Sequence, residues 1–168
     1  MGAGSINAMR PDEETVTAEL TDVVRRAETN VARDGGPFAA VIVLPDGRRF
    51  VGTNRVVATV DPTAHAEVVA IRHACAATGS VALDGAVLYA SCEPCPLCVA
   101  AALWARVDTV HYAADRHDAA RAGFDDAAFH DYFTDPARRG LLPVVGQRVP
   151  TATRPFLAWE GKGDRVPY

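Results

Sequence analysis

Residues 86–105 read AVLYASCEPCPLCVAAALWA. Ala86–Ser91 is a short apolar run of strand length, the pattern of a strand covered on both faces. Pro94 and Pro96 then open a helix that runs to about Ala105, because proline's fixed φ suits a first helical turn and its missing N–H costs nothing there. A buried strand feeding directly into a helix is a building unit of a sheet layered with helices. Working outward, Asp61-Pro62-Thr63 opens a helix over about Ala64–Ala77 that Gly79 stops, and Val107–Ala113 reads as a further strand. Upstream, Phe38–Leu44 is an apolar strand, Pro45-Asp46-Gly47 a turn, and Arg48–Thr53 a strand that folds back as a hairpin. Before it, Val16, Leu20, Val23, Val24, Ala27 and Val31 line one face of a helix over Glu13–Arg33, with Asp12 as N-cap and Gly35-Gly36-Pro37 as its end. Leu142–Val149 is expected to add a last strand, and Arg154–Tyr168 shows no clear period. Helices alternating with strands predict an α/β protein, a three-layer α/β/α domain around a mixed central sheet.

At 168 residues the chain fits one domain, taken here as residues 12–168, with residues 1–11 as a flexible leader outside the fold. With 49% hydrophobic and 23% charged residues it is not a disordered chain. No stretch approaches the roughly 18 apolar residues of a membrane span, and no export signal is visible, so a cytoplasmic protein without membrane association is expected. The net charge of −4 lacks the basic excess of a polynucleotide-binding domain, although a local basic patch remains open. The balance favours a small-molecule partner.

Three of the four cysteines, Cys92, Cys95 and Cys98, crowd into seven residues. Without an export signal, such clustering reads as metal or redox chemistry rather than cross-linking. His65-Ala66-Glu67 at one helix start and Pro94-Cys95-Pro96-Leu97-Cys98 at the next supply an imidazole and two thiolates, three ligands for tetrahedral zinc with an open fourth position. Water there becomes acidic enough to act as hydroxide near neutral pH, and both helix N-termini favour the negative charges involved. Glu67, two residues past the histidine, sits beside the metal as a proton carrier. The competing reading is a closed structural site with Cys92 as fourth ligand. It gives Glu67 no work, and the H-x-E…P-C-x-x-C spacing is that of zinc deaminases. Cys75, in mid-helix, reads as core.

From Gly36 to Tyr168 the chain resembles the cytidine-deaminase-like superfamily, and within it the bacterial guanine deaminases. The strings that carry the likeness are GGPFAAVIV, DPTAHAEVVAIRHAC, YASCEPCPLCVAAALWARV, YAADRHDAARAGFDD and PFLAW, with Val60 standing where a polar residue is expected. The resemblance implies a zinc-dependent hydrolase with a cytidine-deaminase-like fold, acting in purine catabolism on a free base, guanine to xanthine plus ammonia. Guanosine or another aminated heterocycle, as for a nucleoside deaminase, and adenosine in transfer RNA are the alternatives. It implies zinc on His65, Cys95 and Cys98, Glu67 as proton shuttle, and a substrate pocket of Asn54, the Ala66 backbone, Phe38, Trp104 and Asp126, with Asp125 beside it. It further implies a homodimer that swaps C-terminal segments 154–168, Tyr168 covering the partner's pocket. Read without the resemblance, Asn54 is equally a turn residue, Phe38 and Trp104 equally core, and Asp125-Asp126 equally the cap of a helix starting near Ala127.

Overall fold

A computed structural model of the chain describes residues 11–166. Most of the expected leader, and Tyr168, lie outside the described residues. Helix α1 spans Glu13–Val31 and is capped by Asp12, whose side chain accepts from the Thr15 amide at 2.8 Å. Strands β1 (Ala39–Val43) and β2 (Arg49–Thr53) form the expected hairpin, followed by a single turn, α2 (Val56–Thr59), which the sequence reading did not anticipate. Then come α3 (Ala66–Thr78), β3 (Val87–Cys92), α4 (Pro96–Trp104) and β4 (Thr109–Ala114). The strand order is β2-β1-β3-β4, with β1 antiparallel to both β2 and β3, and β3 parallel to β4. The sheet is mixed, as expected.

The pleat explains the layers. Successive β1 side chains point to opposite faces. Ala40 and Ile42 join Leu88 against α3 and α4, packing on Ala66, Ala70, Ala74 and Ala102, whereas Val41 and Tyr89 meet Val23 of α1 on the other face. Small residues on α3 let it lie close to the hairpin. A Cβ at Gly52 of β2 would come within 2.0 Å of the Ala66 carbonyl oxygen, so only glycine permits this approach. That contact sets the start of α3, and with it His65 and Glu67. Val60 closes α2 in the left-handed region at φ 53°, 91% exposed, a conformation poorly suited to a β-branched side chain.

Beyond β4 the chain departs from expectation. Leu142–Val149 forms no strand. Pro143 and Pro150 remove ladder donors, Gly146 loosens the segment between them, and Val144 and Val145 stand open to solvent. In place of a fifth strand come helices α5 (Arg116–Arg121) and α6 (Ala127–Thr134), a 3-10 turn at Pro136–Leu141 and, where no period was visible, α7 (Arg154–Glu160). No helix among the described residues is long and apolar enough to cross a membrane.

Candidate active site

His65 and Cys95 occupy the N-cap positions of α3 and α4, both with extended backbones and neither with a side-chain capping bond. Their side chains are thereby free to meet. Cys95 Sγ lies 3.6 Å from His65 Nδ1 and 3.6 Å from Cys98 Sγ, and Cys98 Sγ lies 3.5 Å from the same nitrogen. Donors about 2.0–2.3 Å from a tetrahedral zinc must stand at about these separations, so the donor set and its spacing fit that ion. Among the described residues these three form the group able to hold a metal, and Cys92 is not in it. The Cys92 thiol instead donates to the Asp115 carbonyl at 3.5 Å, and burial pushes its pKa up to about 11.

Charge within the triad is shared unevenly. The Cys98 thiol and the His65 imidazole bring Cys95 down to about 4, and the Cys95 sulfur in turn raises His65. Cys98 is pushed up by that neighbouring thiolate and by burial. A divalent cation among the three sulfur and nitrogen donors removes the repulsion that keeps the second thiol protonated. Glu67 is buried on the first turn of α3, and its burial raises its carboxyl above the ordinary range. A buried carboxyl so placed can take up and release a proton.

Beside the triad lies a cavity of about 570 Å³. Its lining includes His65, Ala66, Glu67 and Cys95, and it brings in Phe38, Asn54, Asp125 and Asp126 from the expected set. Phe38 meets Phe124 edge to face at 5.0 Å. Asn54 serves both of its candidate roles: its Oδ1 accepts from the Val56 amide, and its side chain lines the cavity. Asp125 Oδ1 accepts from the Ala127 amide and so opens α6. Asp126, at the N-cap position of α6, makes no capping bond and pairs with His130 at 3.4 Å. Trp104 is not among the residues lining this cavity. It ends α4 and is 64% exposed, away from the cavity lining, because nine residues of helix carry it roughly 13 Å along the axis from Cys95.

Among the lining residues that the sequence reading did not assign to the site are Glu93 and Arg116. Arg116 donates its amide and Nε to Glu93 Oε2 at 3.1 Å each, and a terminal nitrogen to Oε1 at 2.5 Å. This fork holds the Glu93 carboxyl below its usual range. Glu93 precedes the Pro94 turn, so its place beside the cysteines was the available signal; its partner lies 23 residues on, beyond local pattern.

Residues 11–114 match the family model for the cytidine and deoxycytidylate deaminase zinc-binding region. The chain belongs to this deaminase family. The guanine deaminase of Bacillus subtilis is 45% identical over 134 residues, 80% of this chain and 86% of that protein. Its crystal structure superposes with a TM-score of 0.85 at 42% identity, covering 94% of this chain and 99% of the other. A solved guanine deaminase from Nitrosomonas europaea gives 0.60 at 36% identity, over 64% and 63% of the two chains. The tRNA-specific adenosine deaminase of Agrobacterium fabrum is 47% identical over 83 residues, 49% of this chain and 54% of that protein. The deaminase described here is thus a zinc-dependent hydrolytic enzyme with the cytidine-deaminase-like fold.

Proposed function

We propose that this deaminase converts guanine and water to xanthine and ammonia. The observation that carries the reading is a buried Glu67 next to the His65–Cys95–Cys98 triad in a cavity that also holds Asp126. The likeness to guanine deaminases over most of the chain supports it. His65, Cys95 and Cys98 hold the zinc, which supplies Lewis acidity for activating water and stabilising an oxyanion. Glu67 takes one proton from the attacking water and delivers it to a ring nitrogen, then takes the second proton from the hydroxyl now on the reacting carbon and hands it to the departing amine. Phe38 and the Ala66 backbone flank the base. Because Val56 N–H occupies Asn54 Oδ1, the Asn54 amide nitrogen is left to donate to a purine acceptor. Asp126 accepts from purine N–H groups.

The functional unit is proposed to be a homodimer, cytoplasmic, exchanging residues 154–168 so that the partner's tail closes each cavity. Val99, Leu103 and Trp104 on α4, and Phe156, Leu157 and Trp159 on α7, turn apolar surface outward, which a second copy would cover. The cavity exceeds what a bare base fills, leaving room for a covering segment.

Transfer-RNA adenosine is the second reading, favoured by the Agrobacterium fabrum relative. Ammonia release from a panel of guanine, adenine, cytosine, guanosine and transfer RNA tests both. Guanine is expected to lead in kcat/KM; a higher value for guanosine removes the free-base assignment, and turnover confined to transfer RNA replaces the reading altogether.

A further inference from the structure

The C-terminal half of α1 and the β2–Arg55 segment enclose a second cleft of about 420 Å³, which shares no lining residue with the cavity beside the triad. Four arginines line it, Arg25, Arg26, Arg33 and Arg55, and no carboxylate does. Arg25 and Arg26 both lean on Asp22, at 2.5 and 2.7 Å, and Arg49 draws on the same carboxylate at 3.0 Å. Arg49 also pairs with Glu19 at 2.7 Å, so two carboxylates serve these three guanidinium groups. The side chains of Arg33 and Arg55 have no hydrogen-bond or ion-pair partner among the described residues. In a chain of net charge −4, this is a local concentration of uncompensated positive charge.

The walls of the cleft are fixed relative to one another. Asn30, 6% exposed, donates its Nδ2 to the Gly36 carbonyl at 2.8 Å and to the Asn54 carbonyl at 3.1 Å. A Cβ at Gly35 would fall 2.2 Å from that nitrogen, so the glycine is required for the clasp. The two bonds hold the end of α1, with Arg33 just past it, against the segment that carries Arg55.

We propose that this cleft binds a small phosphate-bearing anion. Guanidinium groups present paired N–H donors that match phosphate oxygens two at a time, and an anion placed among four of them relieves their mutual repulsion. A small ligand fits better than an extended polynucleotide. The same helix carries Glu13, Glu14, Glu19 and Asp22 ahead of the arginines, and a strand of phosphates running along α1 would meet those carboxylates.

Calorimetric titration of the zinc-loaded protein with inorganic pyrophosphate, and separately with uridine monophosphate, tests the site and its source of phosphate. The pyrimidine nucleotide brings a phosphate without a purine for the deamination cavity. Saturable binding, one anion per chain, is expected, weakened at least tenfold in R33A/R55A with zinc content and thermal midpoint unchanged. A second variant, Arg33→Glu, is expected to abolish it. Tighter binding of the nucleotide identifies a nucleoside phosphate as the ligand; tighter binding of pyrophosphate identifies the free anion. Absence of saturable binding of either probe, equal affinity in the double variant, or binding only of single-stranded RNA overturns the proposal.

Discussion

Up to Ala105 the chain carries every buried residue of the described structure, and from Arg106 to Val166 it carries none. The first region closes a core on both faces of its sheet. The second joins it through β4, paired with β3, and through the Glu93–Arg116 fork, and beyond these it is shaped by local devices. Asp115 accepts from the amides of His117 and Asp118 while Asp118 accepts from the Asp115 amide, a reciprocal cap for α5, and Asp135 likewise opens the Pro136 turn. Such caps are worth about 1 kcal/mol each, enough to shape a helix that something else must hold in place. One region therefore carries the buried core and the zinc triad, whereas the helices of the other are shaped by local hydrogen bonds and bury little of their apolar surface among the described residues.

The largest effect that would break this contrast is at the triad. Cys95→Ser and Cys98→Ser are expected to lose zinc and essentially all deaminase activity, with one zinc per chain found in the parent by elemental analysis. Cys92→Ser should retain zinc, since its thiol faces the Asp115 carbonyl. Next, Glu67→Gln should keep the metal and lose about 10²–10⁴-fold in kcat, because the amide keeps the shape but carries no proton. Near-parental turnover in a zinc-loaded sample would remove Glu67 from the reaction.

Deleting residues 154–168 separates the regions directly. The expected product is a folded, zinc-bound monomer with strongly reduced guanine turnover, read by sedimentation velocity and ammonia release. A dimer of unchanged activity would show that the second region neither joins nor covers anything. Point substitutions sharpen the same contrast. Leu88→Ala, at a fully buried position of β3, should cost about 2–5 kcal/mol in denaturant unfolding. Leu157→Ala, exposed on α7, should change monomer stability by no more than about 0.5 kcal/mol while weakening self-association.

What the sequence made legible follows this division. Periodicity reports burial, so the elements from α1 to β4 could be read wherever a side-chain row meets the core. The triad was legible because its chemistry is written in spacing. In Leu142–Val149 the β-forming residues are real, but strand formation needs a neighbour as well as propensity, and Pro143 and Pro150 deny the ladder. The seven residues of α7 are too few to show a period against solvent. Glu93–Arg116 and the clasp from Asn30 to Asn54 join residues 23 and 24 apart, and no local rule predicts which polar groups meet across a fold. Val60 was legible as an oddity. Its left-handed backbone supplies the reason, and gives the smallest prediction: Val60→Asn should stabilise the protein by up to about 1 kcal/mol, seen as a modest rise in Tm. An unchanged or lower Tm would mean that the strain is already relaxed.

The two uncapped helix starts have one consequence for the protein's lifetime. His65 and Cys95 stand where a capping side chain would normally stabilise the first turn, and their side chains are committed to each other and to Cys98. An ion gripped there acts as a rivet shared by α3 and α4, so the opening equilibria of the two helices are tied to free zinc through mass action. Chelation should then make both starts vulnerable to proteases together, as one cooperative unit. The amount of enzyme that survives would follow the supply of metal as closely as its catalytic rate does.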